Sequence, residues 1–432
     1  MLYLVNDLFF EVYDMRLLQK KLSMRLVIGL FAFFCGFVVA AEKESALSYK
    51  VDYLVTFLPE KEGASVVIRI DNKGLLQKLR FNNKAGVYSN IRANGKLTVK
   101  DAQVYWELPS GNATLSYFVK LTHERSVGKY DARMTEDWAL FRGDDLIPPV
   151  ETTEVPGARA IAELEFILPK TWNNVETGWV RKKDNKFIID NPERLFDRPT
   201  GWMIAGKIGT RRATIKKTGI AISAPVGEGM RRMDALTFFN FVWPELYDAF
   251  EKTPSKLLVV GAGDPMWRGG LSASNSLFLH TDRPLVSENG TSPLLHELTH
   301  MVTRISGKET EIANDDWIAE GLAEFYSFEL LYRANGITKA RRTKIIKGLE
   351  KWGAEVKYLR KSKSTGAVTA RAVVLLDELD KEIRKRSKKQ YSIDDVTREL
   401  MKIRKVSLAD LQNITEKLIG TKADALNSPL LK

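Results

Sequence analysis

The chain has 432 residues, 44% hydrophobic, 10% aromatic and 28% charged, a balance that excludes a disordered, collagenous or multi-span membrane protein. One core rarely serves this length, so at least two folded units are expected. Lys and Arg outnumber Asp and Glu by 66 to 54, which favours acidic partners or an anionic surface, and the single Cys35 excludes disulfide scaffolds and cysteine-based metal or nucleophile sites.

The first feature along the chain is Val27 to Ala40, 14 residues that are almost all apolar. Arg16, Lys20, Lys21 and Arg25 precede it, and small residues follow through Ala41. This is the layout of a secretory signal starting at Met24 and cleaved near Ala41. The run falls short of the roughly 20 residues of a spanning helix, and the other reading of 1–41 is a short anchor. The chain is therefore expected to be exported, periplasmic or extracellular, or tethered by the uncleaved segment.

From Ser48 to about Gly206, short runs alternate apolar and polar residues, as in Tyr49–Phe57, Ala64–Ile70, Gln103–Leu108 and Ala160–Leu168. Asn, Gly and Pro clusters separate them, a pattern that predicts an antiparallel β sandwich over 42–206. A different character follows over 207–432: a strand at Gly219–Ala224, a helix over Met233–Phe250, a buried strand from Lys256, and helices from about Pro293 onward.

The residues that carry chemistry begin at Leu295-His296-Glu297-Leu298-Thr299-His300. Ser292 and Pro293 open a helix that the pattern continues to Ser306-Gly307. Histidines four apart then share one face, where both imidazoles reach one Zn²⁺, and Glu297 beside them is placed to accept a proton from a water. The chain has four histidines, and two lie in the pentapeptide His296–His300; His123 and His280 stand alone. A third ligand comes from the next helix, which Asp315-Asp316 can cap and which runs toward Asn335-Gly336. Glu320 and Glu324 sit four apart on it; Glu320 is the expected metal ligand, and Glu324 the carboxylate that holds a ring N–H of a ligand histidine.

His296-Glu-Leu-Thr-His300 followed by Trp317-Ile-Ala-Glu320-Gly resembles the gluzincin metallopeptidases, the thermolysin-like clan, and within it the glycyl-aminopeptidase family and related zinc aminopeptidases. The resemblance implies an α+β multidomain protein, with the β sandwich followed by a thermolysin-like catalytic domain of mixed sheet and mostly helical C-terminal part. It implies one Zn²⁺ on His296, His300 and Glu320, Glu297 as general base, and a peptide or protein substrate. Trp267 to His280 resembles the strand that borders the cleft, with Gly269, Gly270, Leu271 and Ser272 against substrate. Ser272 stands where the family has a glutamate that grips a free amino group, so cleavage from the N-terminus and internal cleavage both stay open. The family tyrosine that stabilises the oxyanion falls at Lys363 when counted back from Gly366. Lys363, Tyr358 and Tyr326 are the candidates for that role.

Ile337–Lys363 carries ten Lys/Arg against two Glu, and Lys381–Lys389 six against one. These runs are solvated helix faces or a contact to anionic lipid; no recognition motif supports nucleic acid. The reading of the whole is an exported zinc metallopeptidase, with a catalytically silent, zinc-containing peptide-binding protein of the same fold as the alternative.

Overall fold

The computed structural model describes residues 47–83, 86–191, 194–361 and 363–432. The signal or anchor expected at 1–41 lies outside them. Among the described residues no helix is long and apolar enough to cross a membrane.

The alternating segments form strands whose inward residues make one core, including Tyr49, Val51, Tyr53, Val55, Phe166 and Phe187. Ser48–Leu58 lies at the centre of a seven-stranded sheet, antiparallel to Gly63–Asp71 and parallel to Arg159–Ile167. That parallel pair is the exception in an otherwise antiparallel sheet. A four-stranded sheet around Leu76–Asn82 and Gln103–Glu107 adds Leu79, Phe81 and Trp106 to this core. A further five-stranded sheet holds Trp138–Arg142 between Lys129–Met134 and Trp202–Gly206.

The second region opens on a five-stranded mixed sheet: Ile208–Ile215 antiparallel to Thr218–Pro225, which runs parallel to Lys256–Val260 and onward to Ser276–Leu279, with Gly270–Ala273 antiparallel at the edge. Seven helices longer than two turns follow among the described residues, the first two against this sheet and the rest mainly against other helices: α1 (Arg232–Phe250), α2 (Pro293–Thr303), α3 (Asp316–Arg333), α4 (Lys339–Trp352), α5 (Ala367–Arg386), α6 (Ile393–Ile403) and α7 (Leu408–Ile419). Their shared core takes in Phe239 and Trp243 of α1, Leu294 and Leu298 of α2, Trp317 and Phe325 of α3, and Val373 and Leu376 of α5. A third core spans the two regions, with Trp138, Leu140, Trp202 and Ile204 against Ala221, Leu258, Val260 and Phe278. Beside it Glu176, 1% exposed, receives Arg181, Arg212 and Lys256.

Candidate metal centre

Ser292 caps α2 by accepting the N–H of Leu295 at 3.2 Å, with Pro293 in the first turn. Leu294, Leu295, Leu298, Met301 and Val302 bury the inner face of α2, which leaves His296, Glu297 and His300 half-buried toward α3 and the edge strand. The two Nε2 atoms of His296 and His300 lie 3.2 Å apart, so the rings converge on one point. Glu320 completes the group, its oxygens 3.4 Å from His296 Nε2 and 3.3 Å from His300 Nε2. One donor atom from each of the three residues falls within 4.8 Å of the others. Glu324 stands one turn beyond and meets His296 Nδ1 at 3.0 Å, which fixes the ring and turns Nε2 toward the other donors.

Two imidazole nitrogens and a carboxylate are a donor set that suits Zn²⁺. Electrostatics point the same way. Burial opposes a charged His296, but Glu320 and Glu324 outweigh it and hold the imidazole up at about 10. Burial likewise opposes the Glu320 anion, yet His296 and His300 hold its carboxyl down at about 2. The site stabilises positive charge at His296, and a metal ion taking that place displaces a proton.

The segment Trp267–His280 is a hairpin rather than one strand. Ser274-Asn275 make its turn, with Asn275 at φ 52°. Its outer strand, Gly270–Ala273, contains three of the four expected substrate contacts, and Gly269 immediately precedes it. The N–H of His280 donates to the Gly269 carbonyl, so strand alternation turns the backbone groups of Gly270 and Ser272 to the free edge. Glu297 lies directly against this strand: a Cβ on Gly270 would stand 3.0 Å from Glu297 Cγ. Only a residue without a side chain leaves that approach open.

Tyr326 does not serve this site. Its ring packs on Phe250 and Phe325, and its buried hydroxyl bonds Asp394 at 2.8 Å and Thr397 at 3.2 Å. Six residues beyond Glu320, it emerges on another face of α3. Tyr358 is 44% exposed, with Lys361 lying 3.9 Å from its ring centroid, and is not brought to the triad by any contact among the described residues. Lys363 is exposed on the same loop, one residue before Ser364, whose N–H donates to Asp316 at the start of α3. Asp315 precedes α3 as expected but does not cap it; its carboxylate is held by Arg360 and the Leu408 N–H. His123 is exposed and pairs with Asp131.

A second acidic grouping, Asp264, His280 and Asp282, is already occupied by cations of the chain: Arg268 and Lys129 on Asp264, and Arg268 near Asp282. His280 is fully buried, and burial lowers its pKa below the usual histidine range. Trp202 is the residue that sequence reasoning missed. Its indole N–H donates to the Leu271 carbonyl at 2.9 Å and its backbone N–H to Ser276 Oγ at 2.7 Å, bracing the edge hairpin from the β-rich region. Nothing local marks it, because its partners lie about seventy positions on.

Among solved structures the chain is similar to an aminopeptidase N family protein from Idiomarina loihiensis, at 15% identity and a TM-score of 0.60, covering 88% of this chain and 74% of that one. The fold is that of the M1 zinc aminopeptidases. An M1 zinc metallopeptidase from Deinococcus radiodurans aligns at 13% identity and a TM-score of 0.53, covering 89% of this chain and 93% of that one. Legionella pneumophila aminopeptidase A, solved with aspartic acid, aligns at 14% and 0.54 over 90% of this chain and 50% of its own. No protein-family model and no curated protein sequence matches the chain.

Proposed function

We propose that this chain is an exported, zinc-dependent peptidase. The observation that carries the reading is the meeting of three donors for one ion with a fourth carboxylate, Glu297, that lies against the edge strand. A structural zinc closes its sphere with four protein ligands and has no use for such a neighbour. The fold shared with M1 enzymes supports the reading.

His296, His300 and Glu320 would hold the zinc ion, which when bound supplies Lewis acidity and makes a water more acidic. Glu324 keeps His296 oriented through Nδ1. The outward N–H and C=O groups of Gly270 and Ser272 pair with an extended peptide, which adds to the sheet as a further strand. Trp202 holds that strand in place. Glu297 takes a proton from the attacking water onto a carboxylate oxygen and hands it to the leaving amine.

The test is a mixed peptide library incubated with the zinc-loaded protein and with Glu297→Gln, with products read by mass spectrometry. Cleavage by the wild type alone, falling by about 10²–10⁴-fold in the variant at equal zinc content, is the expected result. Single N-terminal losses then mark an aminopeptidase, and internal cuts an endopeptidase. Identical product lists with zinc bound to both proteins would replace the peptidase with a peptide-holding protein of the same fold.

A further inference from the structure

We propose that the exposed basic face running from α4 into the loop behind it docks the protein on an anionic lipid bilayer. The arginines of this stretch are tied into the body of the protein. Arg341 donates to the Glu288 carbonyl, Arg342 to Glu329 and Asp377, and Arg360 to Asp315. Lys339, Lys344, Lys347, Lys351 and Lys357 are exposed and have no partner among the described residues. Lys344, Lys347 and Lys351 share one stripe of α4, while Ile345 and Leu349 bury its inner side. In the other basic run Lys385, Lys388 and Lys389 are exposed as well, but the rest is paired and no exposed indole lies among them. There Lys381 pairs with Asp377, Arg384 with Asp380, and Arg386 with Glu382 and Asp424.

The residues interleaved with the free lysines choose the occupant. Trp352 ends α4 at 56% exposure, and Tyr358 follows at 44% with Lys361 over its ring. Lysine stems reach lipid phosphates while an indole and a phenol sit at headgroup depth, between water and acyl chains. The apolar run at 27–40 brings the chain to a membrane in either reading of it.

The loop is also fixed in place. Trp352 lies against Gly366, where a Cβ would be 3.6 Å from its ring, and Arg360 and Ser364 hold Asp315 and Asp316 at the start of the Glu320 helix. A bilayer bound here takes a set position relative to the metal-site helix. Peptide segments at the membrane surface are then the substrates nearest to hand, an extension that rests on the peptidase reading, whereas the docking does not.

Full-length protein is sedimented with vesicles of phosphatidylcholine alone and of phosphatidylcholine mixed with phosphatidylglycerol. Arg16, Lys20, Lys21 and Arg25 before the N-terminal run are common to the wild type and the variants, so the difference between the wild type and the lysine variant below reads the basic face. Partition onto the anionic vesicles should be at least about tenfold stronger at ~0.1 M salt and lose that advantage toward ~1 M. Lys344→Gln/Lys347→Gln/Lys351→Gln should remove most of the preference with unchanged melting temperature, and Trp352→Ser should weaken binding to vesicles while circular dichroism shows the fold retained. Equal binding to the two compositions, or a preference as strong in the triple variant as in the wild type, would overturn the proposal. So would tight binding of single-stranded DNA with lipid binding indifferent to Trp352→Ser, which would make the face a nucleic-acid surface.

Discussion

Gly270 and Glu297 meet where a single methyl group matters, since a Cβ at Gly270 would reach the Glu297 carboxylate, 3.3 Å from Oε1. On the proposed reading Gly270→Ala should therefore lower kcat/KM by on the order of tenfold, with zinc content unchanged, because it displaces Glu297 and not His296, His300 or Glu320; metal analysis beside peptide kinetics checks both. Tyr326→Phe makes the opposite prediction. It deletes a hydroxyl bonded to Asp394 and Thr397, so it should cost about 1 kcal/mol of stability while kcat stays at the wild-type value. His296, His300 and Glu320 were legible in the sequence because residues four apart on a helix share a face whatever surrounds them. Tyr326 was not, because α3 is buried on nearly every side and the hydroxyl's partner lies 68 positions on.

At the scale of elements, Asp197 ties the segment before Trp202–Gly206 to the seven-stranded sheet. Its carboxylate accepts the Asn191 N–H and its carbonyl the Tyr53 hydroxyl. Burial raises the carboxyl from its ordinary 3.8 to about 6, against the pull of the Asn191 bond. A folded-state value above the unfolded one favours the protonated form, so the stability it contributes is complete below about pH 4 and is lost as pH rises through about 6. Asp197→Asn keeps an acceptor without the charge. It should raise the melting temperature by roughly 2 °C near pH 7.5 and leave it unchanged near pH 4, read by thermal melts across pH. Period-two alternation made the strands of the β-rich region legible, and Ser292-Pro293 marked the start of α2. The parallel pairing of Ser48–Leu58 with Arg159–Ile167 was not legible, since partners a hundred residues apart leave no local trace. Asp315 looked like a helix cap for the same reason: Arg360, which takes its carboxylate instead, lies 45 positions away.

Across the whole molecule, the change of periodicity near 207 separates two kinds of architecture, each with a core of its own, and a third core joins them across the boundary. Trp202 packs on Phe278 with ring centroids 5.3 Å apart and the planes tilted by 35°, and Trp138, Leu140 and Ile204 share that core with Leu258 and Val260. Scanning calorimetry should accordingly find one unfolding transition for the described body instead of two. A cut between Gly206 and Lys207 would face those tryptophans and leucines with water on both new surfaces, so residues 207–432 expressed alone should aggregate. The piece that can be grafted, shuffled or inherited as a working module is the entire assembly, because the part that bears the histidines borrows its floor from the part that bears none of the chemistry.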